Sequence, residues 1–202
     1  MSADHYRTLA APAEFRHKID RSEFLGIAFP ITHDDDFFAE LTRIQKRHFD
    51  ATHHCWGFRL FHESRTRSSD AGEPSGTAGK PILAALEGAD IHDVAVIVVR
   101  WYGGIKLGTG GLQRAYRETA AEALKVAPRL DRYIYTRVRV IVPFDSLGQI
   151  YRLVSPPAVL LAEERYGETN EFFFDVRTSE VAAFTKRLAE LRLEWGEHQP
   201  NA

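Results

Sequence analysis

The residues with the most chemistry in them lie in RWYGGIKLGTGGLQRAY, residues 100–116, where Gly103, Gly104, Gly108, Gly110 and Gly111 alternate with Arg100, Lys106 and Arg114. A strand-like run, VAVIVV, precedes this stretch and a helical pattern follows it. Strand, glycine loop and helix is the layout of a phosphate cradle, because glycines let backbone N–H groups converge and a helix N-terminus offers unpaired donors and positive charge. The nucleotide-triphosphate pattern GxxxxGK[ST] has its glycine spacing in Gly103 and Gly108, but Thr109 stands where the lysine must be. The dinucleotide pattern GxGxxG begins at Gly108 and Gly110 and then meets Gln113. Both fail at a residue that carries the chemistry. What remains is a weaker anion site, with Arg100, Lys106, Arg114 and Arg117 toward phosphates and Trp101 or Tyr102 as a stacking platform. The alternative is purely structural: turns, or close helix-on-sheet packing.

A second glycine cluster, SDAGEPSGTAGKP, contributes Gly72, Gly76 and Gly79, the acids Asp70 and Glu73, and Lys80, which joins the basic set if the two loops meet. Ser75 or Thr77 is placed to cap the helix that follows. With His53 and His54, Asp70 and Glu73 form the acid–base set of an alternative hydrolase at the loop junction. On a strand, however, His53 and Cys55 point one way and His54 the other, so HHC cannot close on one ion. Cys55 reads as an inert core thiol. No GxSxG elbow exists, and HDDD, residues 33–36, reads as helix-N-terminal charge rather than a metal site. No catalytic residue, cofactor or metal is assigned.

Charge narrows the class of partner. The chain carries −2 overall, yet residues 100–139 hold nine basic residues against three acids. That window is +6, and the remainder is −8. A basic block in an acidic chain is a footprint for an anion. A 44% hydrophobic content in 202 residues suits one large or two small globular domains, and no apolar run is long enough to span a membrane. The N-terminal stretch has no signal-peptide core, and one cysteine forms no internal disulfide. The expected location is cytoplasmic.

These residues need elements to position them. SEFLGIAFPI reads as a strand, HDDDFFAELTRIQKRHF as a helix, HHCWGFRLF as a strand and HESRTRSSDAGEPSGTAGKP as a long turn region. AGKPILAALEG is a helix with Gly88 as its C′ residue, and VAVIVVRWY a strand covered on both faces. Leu112, Tyr116, Thr119, Ala120, Ala123 and Leu124 form the buried stripe of a helix that Pro128 ends. Beyond Asp131 the order is βαββαβ, the split ferredoxin-like plan, with Asp145 and Ser179 as helix caps. The chain is therefore expected to be α+β with two domains, 1–130 and 131–202.

The motifs HHC, GEPSGTAGKPIL and VVRWYGGIKLGTGGLQRAY, at this separation, resemble the YigZ/IMPACT family, closely over roughly residues 15–130. The resemblance implies an N-terminal α+β domain like a small-subunit ribosomal protein and domain four of elongation factor G. It implies a C-terminal ferredoxin-like domain like domain five of that factor. It implies regulation of translation, with RNA, the ribosome or a translation-regulatory protein as partner. The family pattern Asp-Asp-Gly-Glu-Pro is Asp70-Ala71-Gly72-Glu73-Pro74 here, which argues against a paired-carboxylate enzyme. The expected function is binding in the translation apparatus, with a hydrolase at the junction of the glycine loops, or a protein-interaction module without nucleic-acid affinity, as the alternatives.

Overall fold

The computed structural model describes residues 4–62 and 64–198; residues 1–3 of the N-terminal stretch and Glu63 of the polar run lie outside them. In chain order the elements are β1 (His5–Leu9), β2 (Ala13–Ile19), β3 (Ser22–Pro30), α1 (Asp34–Arg47), β4 (His53–Leu60), β5 (Arg65–Ser69), α2 (Gly79–Ala89), β6 (Val94–Trp101) and α3 (Gly108–Val126). They continue as β7 (Arg129–Tyr133), β8 (Tyr135–Val142), α4 (Leu147–Ile150), β9 (Val159–Arg165), β10 (Asn170–Arg177), α5 (Val181–Glu190) and β11 (Glu194–Glu197). The chain is α+β. It divides into a first unit, Tyr6–Asp131, and a second, in which Asp4 and His5 join Arg132 and the residues after it.

The first unit is built on a five-stranded antiparallel sheet, ordered β2-β3-β6-β4-β5. Alternation along β6 explains the layers. Val94, Val96 and Val98 face a core with Ile82 and Leu86 of α2 and Leu112, Tyr116 and Leu124 of α3. Ala95, Ile97 and Val99 face the opposite core, with Phe37 and Ile44 of α1. The central strand is thus buried on both sides, as its unbroken apolar run requires. α1 starts where Asp36 accepts the backbone N–H groups of Thr32 and His33, both at 2.9 Å. Its first turn is acidic and its last basic, matching the helix dipole.

Three local expectations give way. Part of the polar run is a strand, β5, paired only with β4; an edge strand needs no apolar alternation, and RTRSS has none. Gly88 lies inside α2, and Asp90 takes the left-handed C-cap with φ 51°, a conformation aspartate tolerates. Neither Ser75 nor Thr77 caps α2: Thr77 donates to the Pro74 carbonyl at 2.6 Å, and the capping acceptor comes from Asp70.

In the second unit an antiparallel sheet ordered β11-β8-β10-β9 follows the chain order β8-α4-β9-β10-α5-β11. Val138, Val140, Phe172, Phe174 and Val176 pack with Ile150, Phe184 and Leu188 on one face. The segment expected as one helix after Asp145 is a chain of short pieces, two 3-10 turns flanking α4, and Asp145 caps none of them. Ser179 does not cap α5 either. Its N–H and hydroxyl donate to Asp4 Oδ2 at 2.9 and 2.7 Å.

Candidate functional site

The first glycine segment folds around one carboxylate. Asp70 Oδ2 accepts Gly76 N–H at 2.8 Å, and Oδ1 accepts Ala78 and Gly79 N–H, each at 2.9 Å. Burial works to raise the Asp70 pKa, but these three N–H groups and nearby Lys80 outweigh it and hold the carboxyl below its ordinary range. Asp70 is thereby committed to loop structure. Gly79 is required by proximity: a Cβ there would lie 2.9 Å from the backbone of Ser69. The second segment obeys the same constraint more severely at Gly103, where a Cβ would stand 2.0 Å from the Arg21 carbonyl oxygen. Close backbone packing, rather than a phosphate turn, accounts for these two glycines. Gly72, Gly76, Gly104 and Gly108 have positive φ, Gly110 lines the groove described below, and Gly111 packs on Leu107.

With the segments so held, Glu73 and Arg100 meet in the interior. Arg100 Nη1 donates to Glu73 Oε1 at 2.5 Å, and the two side chains are only 5% and 3% exposed. Tyr116 donates its hydroxyl to the same oxygen at 2.7 Å. Arg100 Nη2 reaches Ser22 Oγ at 3.3 Å, while Nε is buried without a partner among the described residues. Arg100 is therefore the internal counter-ion of Glu73 and not a surface phosphate contact. The reason is alternation: it sits two residues beyond Val98, on the face covered by α2 and α3.

His53 comes from the neighbouring strand. Its Nδ1 is 3.0 Å from the Ala71 carbonyl and so carries the proton, which directs Nε2 toward Glu73 Oε1 at 3.9 Å. Cys55 donates to the Asp70 carbonyl at 2.9 Å, and burial pushes its pKa up to about 12, so the thiol is not nucleophilic at neutral pH. Burial likewise raises Tyr116. His54 lies with the α1 layer across the sheet, its Nε2 buried without a partner among the described residues and its pKa lowered by burial. Of the four acid–base candidates, Glu73 and His53 converge, Asp70 serves the loop, and His54 is elsewhere.

Two concavities adjoin these residues. A pocket of about 450 Å³ is lined by His53, Glu73, Arg100, Tyr102, Lys106 and the start of α3, including Gly108 and Thr109. A groove of about 700 Å³ runs along α2 and α3, bordered by Lys80, Arg114 and Arg117, with Glu118 as its acid. Gln113 bridges to the Gly76 carbonyl at 3.4 Å, so the two glycine segments do meet. Among the described residues Lys80, Lys106, Arg114 and Arg117 form no salt bridge. Trp101 borders neither concavity. Its Nε1 donates to Asp50 at 3.0 Å, and Arg16 lies 5.2 Å from its ring, so Tyr102 alone is left as a stacking surface. Among the described residues no group of three His, Cys, Asp or Glu is placed to hold a metal ion, and no helix is long and apolar enough to cross a membrane.

Tyr116, which flanks the glycine loop in the sequence as a ring able to stack or to fill the core, is core, and its hydroxyl serves Glu73. Ser22 carries no such signal in the sequence, although a buried tyrosine hydroxyl does announce a need for a partner.

The chain that carries this buried Glu–Arg–Tyr cluster under two glycine segments is similar to known proteins over most of its length. The Impact N-terminal domain matches residues 20–124, more than half of the chain. The IMPACT family member YvyE of Bacillus subtilis (strain 168) is 32% identical over 187 residues, covering 92% of this chain and 86% of YvyE. The IMPACT family member YigZ of Escherichia coli (strain K12) is 40% identical over 122 residues, covering 57% and 58% of the two chains. A solved structure described as a hypothetical protein aligns over 98% of this chain and 99% of its own, with TM-score 0.68 and 27% identity. The chain belongs to the IMPACT family.

Proposed function

We propose that the chain is a cytoplasmic, non-enzymatic binding protein of the translation apparatus that engages RNA or the ribosome through the groove along α2 and α3. The carrying observation is the convergence of Lys80, Arg114 and Arg117, from both glycine segments, without salt-bridge partners among the described residues. Phosphates supply the missing counter-charge, and contacts of this kind give affinity without sequence preference. The likeness of the first unit to a ribosomal protein and to elongation factor G domain four belongs to this proposal, as does the name ferredoxin-like for the second. The strand order β11-β8-β10-β9 supports the latter, and the division at Asp131/Arg132 supports two domains. The hydrolase reading keeps one supporting observation, the approach of His53 to Glu73 at 3.9 Å beside a pocket.

The test is binding to ribosomal subunits and to unstructured RNA across a salt series. Three phosphate contacts on single strands give a log–log slope of about −2. Arg114→Glu/Arg117→Glu abolishes binding. Absence of binding at low salt rejects the proposal.

A further inference from the structure

The pocket beside Glu73 goes beyond that reading, because it stands on other residues than the groove. Its floor holds an unfinished hydrogen-bond set. Glu73 Oε1 takes Arg100 and Tyr116, but Oε2 has no donor among the described residues, although the side chain is only 3% exposed and lines the pocket. Unlike Arg100 Nε, this oxygen is not sealed off from the pocket, so an N–H or O–H of an occupant can reach it in place of solvent.

The opposite wall calls for an anion. Gly108 and Thr109 begin α3, a 19-residue helix whose N-cap, Leu107, supplies no side-chain acceptor, so its first N–H groups are free to bind. Lys106 stands exposed beside them. Between the two ends lie Pro74, Leu107 and Leu112 and the ring of Tyr102, which is 43% exposed and has the Arg100 guanidinium 5.4 Å from its centroid. A ring fixed in this way suits stacking with a flat partner.

We infer that this pocket binds a nucleoside monophosphate, with the base on Tyr102 and a base N–H on Glu73 Oε2. The phosphate sits at the α3 N-terminus beside Lys106. A free amino acid would also bring an anion and a donor, but it is small for about 450 Å³, which lies in the range of roughly 300–1,000 Å³ that holds larger ligands. Guanine is the probe of choice because its N1–H and amino group place donors side by side.

The test is calorimetric titration of the full chain with GMP, guanosine, inorganic phosphate and phenylalanine in parallel. GMP binds at one site and more tightly than guanosine or phosphate alone. Tyr102→Ala and Lys106→Glu, both at exposed positions and checked for unchanged thermal unfolding, each weaken GMP about tenfold or more. No GMP binding at millimolar concentration overturns the inference, and so does phosphate binding as tightly as GMP. Phenylalanine binding in place of GMP overturns it too. GMP binding without RNA binding would reject only the groove proposal, and RNA binding without GMP binding only this one.

Discussion

The two units place charge in opposite ways. In the first, both faces of the sheet are covered, so Arg100 ends up between layers and survives there through Glu73, Tyr116 and Ser22. In the second, one face carries the core and the other carries cross-strand ion pairs, Arg137 with Asp175 and Arg139 with Glu171. Even Phe173, on that polar face, is covered by the Arg165 guanidinium at 4.6 Å and the His198 ring at 5.1 Å. A buried pair is costly to break and specifies a site, whereas exposed pairs are individually weak and replaceable. Cations without a salt bridge among the described residues line concavities in both units, Lys80, Lys106, Arg114 and Arg117 in the first and Arg152 and Arg187 in the second.

The sharpest way to break this contrast is Arg100→Met, which strands the Glu73 carboxylate. Destabilisation of about 3–5 kcal/mol is expected in urea unfolding followed by Trp56 and Trp101, with part recovered in Glu73→Leu/Arg100→Met. Arg139→Met in the second unit should cost about 1 kcal/mol or less. Equal losses would show that the buried pair is no more critical than an exposed one.

Glycines give a smaller, equally paired effect. Gly103→Ala drives a Cβ into the Arg21 backbone and should cost about 1–3 kcal/mol or more. Gly148→Ala, in α4 with open space around it, should stabilise by up to about 1 kcal/mol. Thermal unfolding of the two variants decides it, and a tolerated Gly103→Ala would remove close packing as the reason for that glycine.

Acid gives the mildest separation. His17, His48, His54 and His92, all in the first unit, have pKa values lowered chiefly by burial. Their folded state binds fewer protons than the unfolded chain, so the stability they confer is present above the unfolded value of 6.5 and is lost as pH falls through the depressed folded values. In the second unit the lowered carboxyls are Glu163 and Glu171, held down by Arg165 and Arg139, and these act only in the carboxylate range. From about pH 7.5 to about pH 5.5 the midpoint reported by Trp56 and Trp101 should drop while that of Trp195 holds. Parallel shifts would contradict the assignment.

Much of this architecture was legible in the chain. α1 announced itself through its acidic first turn and Phe37, Leu41 and Ile44; β6 through an apolar run with no alternation; and the second unit through its βαββαβ order. The pointing of His53 and Cys55 away from His54 followed from strand periodicity. β5 owes its existence to a neighbour's free hydrogen-bonding edge rather than to its own pattern, whereas β2 carries a strict alternation, Ala13, Phe15, His17 and Ile19 inward and Glu14, Arg16 and Lys18 outward, that was legible in the chain and not read as a strand. A role for Asp70 in loop hydrogen bonding is open from the sequence, but not which N–H groups it takes, because these lie six to nine residues away, outside any capping rule.

The sequence by itself determined the periodic elements, the two glycine segments and the basic block, since each depends on neighbours within a few turns of chain. Only the tertiary structure decided which charges are spent and which remain. Arg100 and Lys106 are six positions apart in one motif, yet Arg100 is consumed by a glutamate 27 residues away and Lys106 stands free of salt bridges among the described residues. That outcome depends on which face of a central strand another loop covers, and long-range packing, not local spacing, sets it.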